Sequence, residues 1–182
     1  MPTNLTKARQ KVVFGKDSIV IQKFIAGIKG GRSLEVTDFP LDVIEAGHVI
    51  IQNSTSGKYY PMPIEQAVTY TVKTVVTGAS VKGLYTKSGS TYLACGDADV
   101  AIEGTTYYEK TVATDYTYAA LPDGHVYKGI LVASISKDLA MGSIMTIGQV
   151  NSEAVPFSMT AIASAFATAC PHIEFIKDEE SK

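Results

Sequence analysis

Cysteine is scarce in this chain: Cys95 and Cys170 are the only two in 182 residues, far apart and in unlike settings. That excludes a disulfide framework and any CxxC ligand pair, and both side chains are expected as free thiols. Long apolar runs are missing too. No stretch reaches the roughly 18 residues that cross a bilayer, and "MPTNLTKARQKVVFG" has no apolar core of a secretory leader. The expectation is a chain made and folded in a bacterial cytoplasm, with no membrane partner. Charge of one sign is equally lacking, since 16 Lys and Arg face 18 Asp and Glu for a net charge of -2. Such a balance gives no general attraction to nucleic acid or anionic lipid. Only Lys7, Arg9, Lys11, Lys16, Lys23, Lys29 and Arg32 gather without a nearby excess of acids, and they read as a solvated or partner-facing basic arm.

Catalytic motifs are absent as well. There is no GxSxG elbow, and "GIKGGR" lacks the Lys-Ser/Thr ending of a phosphate loop. His48, His125 and His172 do not fall at HxH, HxxxH or HExxH spacing. "CGDADVAIEG" offers Asp97, Asp99 and Glu103 as oxygen donors but lacks the mid-loop Gly and closing Glu of a calcium loop, so it reads as an acidic hairpin tip. No metal, no cofactor and no enzymatic activity are expected.

What is present is β texture. The chain is 46% hydrophobic and 19% charged, which suits an ordered globular protein. "KVVFGKDSIVIQKFIAGI" (11–28) reads as one or two strands, and "SLEVTDF" (33–39) as another. A strand His48 to Gln52 is followed by an "NSTSG" loop and a strand from Lys58 that Pro61 and Pro63 end. From 66 to 119 the sequence turns to Thr, Tyr, Val, Gly and Ser. "LYTKSGSTYLA" (84–94) and "YYEKTVATDYTYA" (107–119) are weakly alike and read as two successive hairpins. Eight of the ten tyrosines fall between 70 and 127, which marks the stretch as an inserted module. Apolar strands resume at 125–135 and 142–151. Met159, Ile162, Ala163, Phe166, Ala167 and Cys170 then share one helical face, with Ser158 as N-cap and Pro171 as stop. "HIEFI" gives a last strand.

Gly-His-Val occurs twice, in "EAGHVIIQ" (45–52) and "PDGHVYKG" (122–129). Either the histidines share a metal site or one strand pattern is used twice. The spacing favours the second, with His48 and His125 beyond a common ligand's reach.

"YKGILVASISKDLAMGSIMTIGQVNSEAVPF", with "IEAGHVIIQNSTSGKYYPM" and "QKVVFGKDSIVIQKFIAGIKGGRSLEVTDF", resembles the head fiber and head-decoration proteins of phages and prophages of the Bacteroidales type. The likeness covers most of 10–65 and 120–176. With the strand pattern, the expected fold is mostly β, a small barrel-like or tulip-like decoration domain with one short C-terminal helix, plus an inserted Tyr/Thr-rich hairpin module at 66–119 that departs from the family pattern and inherits nothing from it. The likeness also implies a homotrimer on the major capsid protein, on the outer face of a virion. The expected division is a flexible arm at 1–10, a discontinuous capsid-binding domain at 11–65 and 120–176, the module at 66–119 and a disordered tail at 177–182. Lys11, Val13, Phe14, Ile19, Ile21 and Phe24 are the expected capsid or trimer contacts. A second expectation is a carbohydrate-binding adhesin, with Tyr85, Tyr92, Tyr107, Tyr108 and Tyr116 as a platform for a glycan.

Overall fold

The computed structural model describes residues 17–177. The expected arm and the contact residues Lys11, Val13 and Phe14 lie outside that range, as do residues 178–182 of the tail. The described chain is mostly β, with one short helix near its C-terminal end. It divides into two compact units, one holding the chain up to Ile64 and from Thr117 onward, the other Glu65–Tyr116.

In the first unit, a four-residue helical turn α1 (Asp17–Val20) leads into β1 (Ile21–Gly27). Short strands β2 (Arg32–Ser33) and β3 (Val43–Ile44) precede β4 (Val49–Asn53) and β5 (Tyr59–Pro61). The second unit takes most of β6 (Ile64–Lys73), then β7 (Leu84–Ser88), β8 (Thr91–Ala94) and most of β9 (Tyr107–Tyr118). The first unit resumes with β10 (His125–Leu131), β11 (Ile135–Ser136), β12 (Met141–Gly142) and β13 (Ile144–Asn151). It closes with α2 (Ala163–Ala169) and β14 (Ile173–Ile176).

Its main sheet runs β1-β13-β10-β4-β5, and β14 also pairs with β13. The order follows from burial. Val49, Ile50 and Ile51 are consecutive and all buried, so both faces of β4 must be covered, which is the position of a central strand. β13 has β1 on one side and divides the other, giving Ile144 and Met145 to β10 and Gly148–Asn151 to a parallel pairing with β14. Tyr127 of β10, Phe166 of α2 and Phe175 of β14 interlock at ring distances of 5.6 and 5.9 Å, pinning helix and parallel strand to the sheet.

One close approach decides the path of β10. Gly129 has φ 146° and a Cβ there would run into the Met145 carbonyl of β13. The β10–β4 register shifts between Tyr127 and Gly129, so the glycine absorbs a bulge without ending the strand.

Barrel-like closure does not occur among the described residues. The sheet is open, with β1 and β5 at its edges. β5 is three residues long and runs into Pro61-Met62-Pro63, whose prolines have no N–H to extend a ladder. Its outer side carries the single bridge Leu34–Tyr59.

Two local expectations also need correction. The helix was expected across 157–171 from Ser158, but α2 starts only after Ile162. Ser158 instead makes turn hydrogen bonds with Thr160. Of the expected face, Ile162, Phe166 and Cys170 are buried, whereas Ala163 and Ala167 are exposed. The second expected hairpin, at 107–119, is one uninterrupted strand of 12 residues. "TVATD" contains neither Gly, Pro nor Asn, and its β-branched residues favour an extended chain.

In the second unit the strand order is β6-β9-β7-β8. β7 and β8 form a hairpin from Tyr85–Ala94 to Ser88–Thr91, and β7 pairs with β9 from Leu84–Glu109 to Thr86–Tyr107. Val81, Ala101 and Tyr107 make a small core, flanked by Val75, Leu84 and Cys95.

Candidate binding surfaces

Side chains alternate faces along a strand, so the registers of the four-stranded sheet gather its tyrosines. Tyr85 faces Tyr108 across the β7–β9 pair, and Lys87 faces Tyr92 across the hairpin. Tyr70 of β6 joins them. Its ring stacks on Tyr92 at 3.8 Å and 3°, and Tyr85 meets it edge-on at 5.2 Å. Tyr108 meets Tyr92 edge-on at 5.1 Å, and Lys87 Nζ lies 5.5 Å from the Tyr92 ring centroid. All four rings are half-buried, each showing part of its surface to solvent.

Three of the five expected platform residues, Tyr85, Tyr92 and Tyr108, are therefore brought together, and Tyr70 is a member that sequence reasoning missed. Tyr70 lies on the alternating run "VTYTVK", where period two was the available signal. Tyr107 is corrected. One position from Tyr108, it turns to the other face, is 5% exposed, and its hydroxyl accepts a hydrogen bond from Ile102 N at 3.0 Å. Tyr116 lies eight residues beyond Tyr108 on β9, ~27 Å along an extended strand, too far to share one small ligand with the cluster.

Beside the tyrosines a polar cleft of about 450 Å³ is lined by Thr86, Lys87, Gly89, Thr105, Thr106 and Tyr108. It has a structural cause. The β7–β9 ladder stops at Thr86–Tyr107, and past that pair the hairpin end and the approach to β9 separate like the arms of a fork.

In the first unit, β1 is an edge strand whose outer side has no β partner among the described residues. Phe24 is 50% exposed and Ile25 56%, while Ile19, in the turn before the strand, is 52% exposed. Ile21 is half-buried. Ile19, Ile21 and Phe24 of the expected contact set thus lie along this edge strand or in the turn before it, and Ile25 follows Phe24 on the strand. Of the basic residues beside it, Arg32 donates to the carbonyls of Lys29 and Gly31 and lies over the Tyr59 ring.

The repeated Gly-His-Val resolves into topology. β4 and β10 are antiparallel neighbours: Leu131 N donates to His48 O at one end, and His125 pairs with Asn53 at the other. The two histidines enter their strands from opposite ends, ~17 Å apart along the pair. Among the described residues no three His, Cys, Asp or Glu side chains converge on a common point. Asp97 and Asp99 are used locally, Asp97 pairing with Lys82 at 3.3 Å and Asp99 accepting from Gly96 N at 2.6 Å.

The environments of the two histidines differ. His125 is half-buried, edge-on to Tyr60, and helps line a cleft of about 360 Å³ whose wall mixes Phe39, Ile51 and Pro61 with Glu35 and Asp38. His48 is wholly buried among Phe39, Tyr118 and Phe157 at 5.2, 5.3 and 5.6 Å. Its Nε2 donates to Met62 O at 2.9 Å, and Nδ1 has no partner. Burial outweighs that hydrogen bond and holds its pKa at about 4. The Tyr118 hydroxyl, pushed above its ordinary range by burial, accepts from Val49 N at 3.0 Å.

Comparison with known proteins returns no match from any family model, any curated protein or any solved structure.

Proposed function

We propose that the chain is a structural protein of a phage particle, a head fiber or decoration protein that binds the outer face of the major capsid protein as a homotrimer. The observation that supports this most is the edge strand β1. Among the described residues its outer edge is unpaired, and it carries two large exposed apolar residues, Phe24 and Ile25, with a third, Ile19, in the turn before it. Soluble monomers rarely leave such an edge uncovered, because it is a template for pairing with another chain. A capsid sheet or a neighbouring copy in the trimer supplies that partner by strand addition, with the apolar side chains giving affinity. Threefold symmetry makes three modest contacts act together. The test is co-sedimentation with shells assembled from the capsid protein of the same genome. Ile25→Asp is expected to leave most protein in the supernatant, and deletion of residues 1–10 to weaken binding. Undiminished pelleting of Ile25→Asp would remove β1 from the contact.

A second reading is favoured by the tyrosine cluster. The second unit is a carbohydrate-binding module, with Tyr70, Tyr85, Tyr92 and Tyr108 as an aromatic platform beside hydroxyl donors. Both roles are compatible in one particle protein, the first unit attaching and the second gripping host or mucosal glycans. A glycan array with wild type and Tyr108→Ala tests it, since Tyr108 is exposed to the cleft while Tyr107 belongs to the core.

A further inference from the structure

Lys87 is a cation with no anion. Among the described residues of the second unit, Lys73 and Lys82 each hold a carboxylate within 4 Å, whereas Lys87 and Lys110 hold none, and of these two Lys87 alone has a ring, that of Tyr92, against it. The lining of the fork cleft continues this pattern. Its side-chain polar groups are the hydroxyls of Thr86, Thr105, Thr106 and Tyr108 with the Lys87 ammonium, and no Asp or Glu takes part. None of those four hydroxyls is engaged in a hydrogen bond among the described residues. Glu109, the nearest acid in register on β9, is occupied by Lys73 at 2.9 Å.

We infer that the fork between β7 and β9 binds an anionic sugar residue, with Lys87 on its carboxylate or sulfate and the threonine hydroxyls on its ring hydroxyls. The inference rests on the carbohydrate reading of the tyrosine face and sharpens it. A neutral sugar offers the ammonium only hydroxyl acceptors, whereas an acidic one offers an anion, and the ion-paired hydrogen bond is the stronger. The ring contact tethers the Lys87 side chain near the cleft, which lowers the entropy lost when it meets the anion. At about 450 Å³ the cleft takes one sugar residue with its first hydration shell, and Tyr108 supplies the flat apolar wall.

The experiment uses the full chain against matched glycan sets: carboxylated, sulfated, and their neutral counterparts, at low and at physiological salt. Binding is expected for one acidic set, at least tenfold tighter than for its neutral counterpart. Lys87→Gln should lose about tenfold or more on that set, and Lys110→Gln, an exposed lysine on β9 outside the cleft, should change nothing. Which acidic set binds distinguishes carboxylate from sulfate. Equal binding of acidic and neutral glycans, or an unaffected Lys87→Gln, overturns the inference and leaves the tyrosine platform standing. Binding to no glycan by a folded wild-type protein overturns both.

Discussion

His48 Nε2 and the Met62 carbonyl oxygen lie 2.9 Å apart, and this hydrogen bond sets the tautomer of the ring. A carbonyl only accepts, so Nε2 carries the proton and Nδ1 presents a bare lone pair to the aromatic wall of Phe39, Tyr118 and Phe157. A second proton would place a charge where nothing solvates it.

Stability should therefore depend on pH through this residue. The folded pKa of about 4 lies below the ordinary 6.5, so between those values the unfolded chain takes up a proton that the native ring refuses. The contribution is fully present above pH 6.5 and is lost as pH falls toward 4, by up to about 1.4 kcal/mol per pH unit and about 3 kcal/mol in all. Denaturant melts at pH 7, 5.5 and 4.5 measure it. His48→Phe should be less stable at pH 7 by about 1–3 kcal/mol, because the Met62 carbonyl loses its donor, yet flatter with pH.

Tyr118→Phe probes the same cluster from its other polar end. The ring volume stays, but the buried Val49 N–H loses the hydroxyl that accepts from it. A loss of about 1–3 kcal/mol is expected in equilibrium unfolding, and an unchanged midpoint would mean that Val49 N finds water.

Gly129→Ala should be costly although it adds one methyl group. The residue has φ 146° and its would-be Cβ meets the Met145 backbone, so the β10–β13 pair must separate. A cost of about 3 kcal/mol or more is expected in thermal melts, against about 1–2 kcal/mol for Gly89→Ala in the open hairpin turn, where no atom lies within 4 Å of the new Cβ and only the left-handed backbone, φ 61°, is strained.

Phe24→Ser and Ile25→Asp should change stability by less than about 1 kcal/mol, because both side chains are half or more exposed. If they carry a docking surface, the same substitutions remove capsid binding, so thermal melts and co-sedimentation separate folding from contact.

The sequence made the class of fold and most strands legible because period and punctuation coincided there. "GHVIIQN" and "GHVYKGIL" announce β4 and β10 by a permissive glycine followed by an apolar run, and the 84–94 hairpin by "SGS" between aromatic strands. Where punctuation was weak, reading failed. The polar "TVATD" resembles a turn but has no Gly, Pro or Asn, and β9 runs through it. "SMTAIASAFATA" had helical period, yet its first turn is spent on Ser158–Thr160 contacts. The tyrosine cluster was half legible: enrichment marked the module, but only register separates Tyr108 on the platform from Tyr107 in the core. The burial of His48 was not legible, since its wall comes from Phe39, Tyr118 and Phe157, which are distant in sequence.

Attachment of β1 to a capsid exterior, proposed above, can be read in a cryo-electron microscopy map of shells mixed with this protein. Added density is expected on the outer surface at local threefold positions, three copies together, with β1 residues Ile21–Gly27 at a contact with capsid or neighbour. Undecorated shells at saturating protein, or decorated shells with β1 open to solvent, would contradict that attachment.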